Sequence, residues 1–199
     1  MGGHITGVIL AGGKSSRFGS EKALATLGGR SLLARAVEAL EPFVSDIAVS
    51  APIESGAGIE AHRSGFSVLP DRVGLARGPL AGILAGLEWS KSRNAKWMIS
   101  LPCDVVSLPS DIFPRLCAAA ADANGAYAVT AQGPQSLCAV WPVESEAALE
   151  AVLDSGTHPP VREFLEQMGG TPVHFAGSGL FLNINTRDDL LAAEKNLPL

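Results

Sequence analysis

A stretch near the start of the chain places glycines and two cationic side chains directly after an apolar run. Residues 5–10 are largely apolar and include branched side chains, which predicts a buried β-strand. Two glycines follow, and a backbone without Cβ atoms lets a ligand approach its N–H groups closely. Backbone donors and nearby cations together suit a polyphosphate. The candidate binding residues of this stretch are Leu10, Ala11, Gly12 and Gly13, followed by Arg17 and Lys22.

Two well-known phosphate loops do not match this stretch. A Walker A loop requires a glycine five residues before its Gly-Lys pair, and Val8 occupies that position. A dinucleotide-binding fingerprint requires the spacing G-x-G-x-x-G, which the chain lacks. On the residues alone, a plain glycine turn with solvated Lys and Arg side chains therefore stays an alternative.

Ser50, Asp71 and Asp104 each follow a predicted strand. The carboxyl ends of parallel strands share one sheet edge, so we expect these side chains to gather beside the glycines. A carboxylate just beyond an apolar strand needs a partner, and Mg²⁺ requires only one or two protein carboxylates. Asp104 is therefore the candidate metal ligand. The alternatives are an N-cap or turn role for Asp104 and a turn role for Asp71 after Pro70.

Predicted strands and helices alternate along the chain, which indicates an α/β fold. We expect a Rossmann-like three-layer α/β/α sandwich with a mostly parallel sheet, formed by a single domain spanning residues 1–199. Strands are predicted at residues 5–10, 46–51, 66–69, 96–101, 127–130, 137–141 and 173–175. Helices are predicted at 31–40, from 78 past 89, and at 110–122, 144–153, 161–168 and 188–195, whereas residues 55–65 read as a Gly-rich connection.

The composition excludes several classes of protein. With 47% hydrophobic and 18% charged residues, the chain is globular, and its net charge of −5 argues against nonspecific nucleic-acid binding. Cys103, Cys117 and Cys138 are odd in number and form no C-x-x-C pair, so we expect reduced thiols and a cytoplasmic location. A charged signal-peptide start and an apolar run of ~20 residues are both missing, so we expect no membrane association.

Four motifs together resemble one family. The first stretch is similar to the L-A-G-G-x-x-x-R-x-G-x-x-K signature of molybdenum cofactor guanylyltransferases (the MobA family) and MobA-like nucleotidyltransferases. Phe18 stands where members usually carry Met. The other motifs follow in the family's order: Asp71 before Gly78-Pro79-Leu80-Ala81-Gly82, then Leu101-Pro102-Cys103-Asp104, then Asn183-Ile184-Asn185-Thr186.

The resemblance implies a guanylyltransferase that transfers GMP from GTP to molybdopterin, or its molybdenum-loaded form, with Mg²⁺ as cofactor. Molybdoenzyme maturation proteins are candidate partners. It implies that Arg17, Lys22 and Asp104 are catalytic and that Asp104 binds the metal. The implied nucleotide site comprises Leu10, Ala11, Gly12, Gly13, Lys22, Ser50, Asp71 and Asp104, and the implied second-substrate residues are Gly78, Asn183 and Asn185.

Departures from the family pattern keep alternatives open. Ser50 replaces an asparagine common among members, and residues 157–160 lack arginines that relatives can carry. A cytidylyltransferase using CTP is one alternative, although that branch commonly reads L-A-A-G and Gly12 favours guanine. A sugar-phosphate nucleotidyltransferase is a second alternative. A non-catalytic nucleotide-binding module is a third, which the presence of Lys22 and Asp104 disfavours.

Overall fold

The computed structural model describes residues 4–13, 18–19, 21–72, 78–177 and 179–196. Its strands are β1 (Ile5–Leu10), β2 (Thr26–Leu27), β3 (Arg30–Ser31), β4 (Asp46–Ser50), β5 (Ser67–Leu69), β6 (Trp97–Pro102), β7 (Val105–Val106), β8 (Ala126–Thr130), β9 (Gly133–Pro142), β10 (Thr171–His174) and β11 (Leu182–Asn183). Seven of them form the central sheet, in the order β10-β8-β9-β6-β1-β4-β5. The remaining strands make two small pairs, β2 with β3 and β7 with β11.

One strand of the central sheet runs against the others. β9 pairs antiparallel with both β6 and β8, whereas all other neighbours in the sheet pair in parallel. The sheet is therefore mostly parallel, as predicted. The carboxyl ends of β1, β4, β5 and β6 lie along the same edge, where ligands bind in open α/β sheets.

Helices cover both faces of the sheet. They are α1 (Leu32–Leu40), α2 (Gly56–Arg63), α3 (Pro79–Ser92), α4 (Ile112–Ala121), α5 (Glu146–Asp154), α6 (Val161–Gln167) and α7 (Arg187–Asn196). Ile9 of β1 belongs to a core packed with α1, α2 and α4, whereas the adjacent Val8 belongs to a core packed with α3, α5 and α6. Successive strand residues point to opposite faces, so a single strand such as β1 contributes to both cores. The predicted three-layer α/β/α architecture is confirmed.

Local sequence explains where several helices begin. The Ser31 hydroxyl accepts the Ala34 N–H at 3.1 Å and caps α1. At α7, the Thr186 hydroxyl accepts the Asp189 N–H at 3.1 Å, and the Asp189 carboxylate reaches back to the Thr186 N–H at 2.8 Å. This reciprocal pair is a capping box with aspartate in the third position.

The prediction of an irregular connection at residues 55–65 was wrong, because α2 occupies most of it. Its buried face consists of Ala57, Gly58 and Ala61, which are too small to produce a clear apolar period in the sequence. Packing of this small face against the sheet and capping at its first turn hold the helix, which shows that tertiary contacts override a weak local propensity. In the described part of the chain, no helix is long and apolar enough to cross a membrane.

Candidate active site

A cleft of about 750 Å³ opens at the carboxyl edge of the sheet. It is lined by Leu10, Ala11, Gly12, Gly13, Lys22, Ala23, Ser50, Pro52, Asp71, Gly78, Pro79, Gly82, Pro102, Cys103, Asp104, Leu137 and Asn185. The structure thus brings together residues from the ends of β1, β4, β5 and β6, from the start of α3, and from the segment before α7. Ten of the predicted site residues that the structure describes are in this cleft.

Gly12 and Gly13 form the floor directly after β1. Neither has a positive φ, so the turn itself does not require glycine at these positions. A Cβ atom added at Gly12 would lie 3.7 Å from the carbonyl oxygen of Ser50, which is ordinary contact, and one added at Gly13 would meet nothing within 4 Å. Neither backbone geometry nor packing within the described residues therefore requires glycine at these two positions.

Lys22 and Asp104 form an ion pair in the cleft, between the Lys22 Nζ and the Asp104 Oδ2. Both side chains are largely shielded, with relative exposures of 17% and 21%. The same Nζ lies 3.4 Å from the Asn185 Oδ1. These three side chains stand far apart in sequence, and we refer to them together as the Lys22 cluster. The cluster combines a cation, a carboxylate and an amide oxygen at one point of the cleft.

The oxygens of the Lys22 cluster suit a hard divalent cation such as Mg²⁺. Among the described residues, no group of three or more His, Cys, Asp or Glu side chains could form a protein-only metal cage. An ion held by Asp104 would need further oxygen ligands from water and substrate phosphates, which is how Mg²⁺ commonly binds. The donor set therefore fits a metal that is shared with a nucleotide.

Cys103 precedes Asp104 and also lines the cleft. Burial raises the pKa of the Cys103 thiol to about 12, and the negative charge of Asp104 adds to this shift. The thiol is therefore protonated at neutral pH and is a poor nucleophile. The cleft is thus not suited to covalent chemistry through this cysteine.

Ser50 and Gly82 meet at the base of the cleft, where α3 approaches the end of β4. Ser50 is 4% exposed, and a Cβ atom added at Gly82 would lie only 2.5 Å from its hydroxyl oxygen. A side chain at residue 82 would therefore have to displace the Ser50 hydroxyl for the helix to pack this closely. Asp71 and Gly78, by contrast, are exposed at the rim, and Gly78 caps α3 without a side chain.

Two predicted residues are not placed in the cleft. Arg17 lies outside the described residues. Asn183 pairs with Val105 in the small β7–β11 sheet, and its amide donates to the Phe181 carbonyl oxygen at 3.4 Å. Asn185 reaches the cleft although Asn183 does not. The N–H of Asn185 donates to the Asp189 carboxylate at 2.9 Å, which ties this segment to the start of α7.

Leu137 is a lining residue that the sequence did not reveal. The β8–β9 pairing shifts register between Tyr127 and Ala128, so β9 bulges at this point and carries Leu137 to the cleft. The buried Trp141 indole donates to the Ser100 hydroxyl at 2.8 Å, and that hydroxyl donates to the Leu137 carbonyl at 2.7 Å. An apolar residue inside a predicted strand carries no sign of such a bulge.

Comparisons with known proteins identify the family of this chain. The family model for the MobA-like NTP transferase domain matches residues 7–171. The molybdenum cofactor guanylyltransferase of Acidiphilium cryptum is 38% identical over 195 residues, covering 97% of this chain and 95% of that protein. The protein of the same name from Mesorhizobium japonicum is 37% identical over 202 residues, covering 97% of this chain and 96% of that protein.

Solved structures share the fold. Molybdopterin-guanine dinucleotide biosynthesis protein A from Archaeoglobus fulgidus has a TM-score of 0.76 at 23% identity, covering 96% of this chain and 97% of that one. A Mycobacterium tuberculosis protein crystallised in complex with manganese has a TM-score of 0.68 at 17% identity, covering 97% of this chain and 98% of that one. The family model spans most of the chain and the curated relatives align over nearly their whole length, so this chain belongs to the MobA-like NTP transferase family.

Proposed function

We propose that this nucleotidyltransferase transfers GMP from GTP to the terminal phosphate of molybdopterin, or of its molybdenum-loaded form, and releases pyrophosphate. The observation that carries the proposal is the bare backbone at Gly12 and Gly13 in the same cleft as the Lys22 cluster. The aligned relatives are named molybdenum cofactor guanylyltransferases, and that name indicates GTP as the nucleotide and the molybdenum cofactor as the acceptor. The product is a guanine dinucleotide form of the cofactor.

The nucleotide lies over the ends of β1, β4 and β5 in this proposal. Backbone N–H groups at Gly12 and Gly13 approach its phosphates, and Lys22 supplies positive charge beside them. Ser50 and Asp71 face the base or the ribose from the neighbouring strand ends. Leu10 and Ala11 complete the floor, and Arg17 is proposed as a second cation for the phosphates.

The chemistry is an in-line displacement at the α-phosphorus of GTP. An oxygen of the acceptor phosphate forms a new P–O bond while the bond from the α-phosphorus to the β-phosphate bridging oxygen breaks. Pyrophosphate leaves with that electron pair. Because the attacking phosphate is already an anion, the site needs no strong base, and its task is to orient the reactants and offset the growing negative charge.

Asp104, with the nearby amide oxygen of Asn185, is proposed to hold Mg²⁺. The ion supplies Lewis acidity toward the phosphate oxygens when bound. Support comes from the oxygen donors of the Lys22 cluster and from the manganese complex of the Mycobacterium tuberculosis protein with the same fold. Lys22 pairs with the Oδ2 of Asp104, so the ion and the Lys22 ammonium would share this carboxylate beside the nucleotide phosphates.

The acceptor is proposed to bind beyond Asp104, near Gly78 and Asn185. The position of Asn183 in the β7–β11 pair suits support of this segment more than direct contact. Molybdoenzyme maturation proteins are the proposed recipients of the product, in the cytoplasm. The fold itself does not select the substrate, because a Bacillus anthracis protein that carries the name of a glucose-1-phosphate thymidylyltransferase shares it with a TM-score of 0.73 at 12% identity.

The decisive experiment incubates the purified protein with molybdopterin, Mg²⁺ and each of the four nucleoside triphosphates separately. Pyrophosphate release and the mass of the product are measured. We expect pyrophosphate and a guanine dinucleotide with GTP, and no product when molybdopterin is omitted. Preference for CTP would reassign the protein to the cytidylyl branch, and transfer to a sugar phosphate in place of molybdopterin would overturn the acceptor.

A further inference from the structure

Glu21, the residue before Lys22, binds the start of α2 with both carboxylate oxygens. Its Oε2 accepts the Gly56 N–H and its Oε1 accepts the Ala57 N–H, each at 2.7 Å. These N–H groups belong to the first turn of a helix and have no partner within it, and the positive end of the helix dipole favours a carboxylate there. Glu21 thus caps a helix that begins 35 residues later in the chain.

The surroundings of Glu21 are shaped to receive it. A Cβ atom added at Gly56 would lie 2.7 Å from the Glu21 Oε2 and 2.4 Å from the Leu24 Cδ1, so any larger residue at position 56 would displace both side chains. The third N–H of the helix, on Gly58, is taken by the Ser55 hydroxyl at 3.0 Å. Glu21 and Ser55 therefore divide the capping of α2 between a distant residue and a local one.

The backbone transmits this contact to the cleft. Lys22 begins a short 3-10 turn, Lys22–Leu24, in which the Leu24 N–H donates to the Glu21 carbonyl at 3.2 Å. Fixing Glu21 on α2 therefore fixes the start of the turn that carries the Lys22 cluster. Since α2 follows β4 through Pro52, which also lines the cleft, the contact joins the segment that carries Lys22 to the segment that follows β4.

We infer that Glu21 is a positioning residue that holds the Lys22 ammonium at its place beside Asp104 and Asn185. The inference rests on the proposed function, which assigns Lys22 to the nucleotide phosphates. Glu21 is absent from the cleft lining, so it acts through Lys22 and not by touching the substrate. A displacement of about 1 Å in a catalytic group can cost on the order of 100-fold in rate.

The test is a double-mutant cycle with Glu21→Ala, Lys22→Ala and the double variant. Two quantities are measured for each protein: kcat for pyrophosphate release at saturating GTP and Mg²⁺, and the affinity for GTP in a binding assay without molybdopterin. We expect Glu21→Ala to lower kcat by about 10-fold to 100-fold. We also expect it to have little further effect in the Lys22→Ala background, because a residue that acts through Lys22 has nothing left to position.

Ser55→Ala is the matched control, because it removes a cap from the same helix without touching the turn that carries Lys22. We expect it to lower Tm as Glu21→Ala does while kcat stays close to that of the unaltered protein. Equal kcat losses in Glu21→Ala and Ser55→Ala would overturn the inference. So would a kcat loss in the Glu21/Lys22 double variant that equals the product of the losses in Glu21→Ala and Lys22→Ala. If Glu21→Ala does not fold, Glu21→Gln replaces it, since glutamine has one acceptor oxygen and its NH2 group cannot accept the second of the two N–H groups.

Pyrophosphate release tests the proposed function, whereas GTP affinity tests the role of Glu21 separately. If the unaltered protein released no pyrophosphate with GTP and molybdopterin, the function would be wrong, and the cycle would still be read from GTP affinity. In that assay we expect the double variant to bind GTP with the same affinity as Lys22→Ala. A double variant that binds GTP ten times more weakly than Lys22→Ala would show that Glu21 acts independently of Lys22.

Discussion

Two aspartates at the same edge of the sheet have very different surroundings. Asp104 follows β6 in the middle of the sheet, is largely shielded, and pairs with Lys22. Asp71 follows β5 at the edge of the sheet and is exposed. Its basic neighbour, Arg72, pairs with Glu88 of α3 at 2.9 Å and with Glu150 of α5 at 2.5 Å.

This difference indicates separate tasks for the two carboxylates. A shielded carboxylate in contact with a cation interacts strongly with a metal or with developing charge, because water screens it less. An exposed carboxylate contributes mainly hydrogen bonds to a ligand that covers it. Asp104 therefore suits the reacting end of the nucleotide, and Asp71 suits its binding end.

Asp104→Asn should have the largest effect. Asparagine keeps the size of the side chain but loses the charge, so we expect kcat to fall by ~100-fold or more while the protein stays folded. The measurement is turnover at saturating GTP and Mg²⁺, together with the thermal midpoint. Near-normal turnover in a folded variant would show that Asp104 is not a metal ligand and that the two aspartates do not have separate tasks.

Lys22→Ala should come next, with Arg72→Ala as its matched control. Each variant deletes a cation paired with carboxylates, but only Lys22 faces the cleft. We expect a loss in kcat of roughly 100-fold for Lys22→Ala and less than about 3-fold for Arg72→Ala, because exposed ion pairs contribute little. Similar losses in the two variants would mean that general positive charge near the sheet edge is what matters.

Asp71→Asn should act on binding more than on chemistry. We expect KM for GTP to rise by about 5-fold to 10-fold with kcat changed much less, since replacing a charged acceptor with a neutral one weakens binding by roughly 1 kcal/mol. Steady-state kinetics with GTP as the varied substrate provide both constants. A fall in kcat as large as that of Asp104→Asn would show that both carboxylates serve the reacting phosphate.

Gly12→Ala tests base choice at the binding end. The unaltered protein should prefer GTP to CTP by at least ~10-fold in kcat/KM, a difference of about 1.4 kcal/mol. The cleft has room for the added methyl group in the protein itself. We therefore expect the variant to lose efficiency with GTP chiefly through contact with the nucleotide, which narrows the preference. An unchanged GTP-to-CTP ratio would limit Gly12 to a general role in phosphate approach.

Asp189→Asn should have the smallest effect, because this third carboxylate supports the site from outside. Hydrogen bonds from the Asn185 and Thr186 backbones lower the pKa of Asp189. A lowered folded-state pKa means that the stabilisation is present above the unfolded value of 3.8 and is lost as pH falls through the folded-state pKa. We expect Tm of the variant to be slightly lower at pH 7, with the difference shrinking toward pH 2.

An unchanged difference in Tm at pH 7 and pH 2 would contradict the assignment of that stabilisation to the ionised Asp189. The same variant should leave KM for GTP close to normal, since Asp189 is not in the cleft lining. A rise in KM comparable to that of Asp71→Asn would place Asp189 in the nucleotide site instead.

The sequence by itself determined the layered fold and much of the cleft. Buried parallel strands appear as continuous apolar runs, so β1 and β6 were recognisable, and strand ends in such a sheet must share an edge. The shared edge predicts that Gly12, Ser50, Asp71 and Asp104 lie close together. The cations after the glycines included Lys22, and the family motifs added Asn185; the structure brings both to the same point of the cleft.

Only the tertiary structure decided the contacts that depend on residues distant in sequence. Helix α2 has a face of small residues with no clear period, and its first turn is capped by Glu21 from another loop. The two asparagines at 183 and 185 look equivalent in the motif, but pairing of β11 with β7 turns Asn183 away from the cleft. Leu137 reaches the cleft through a bulge that only the pairing of β8 with β9 creates. In each case the deciding partner lies far along the chain, where local propensity and spacing carry no information about it.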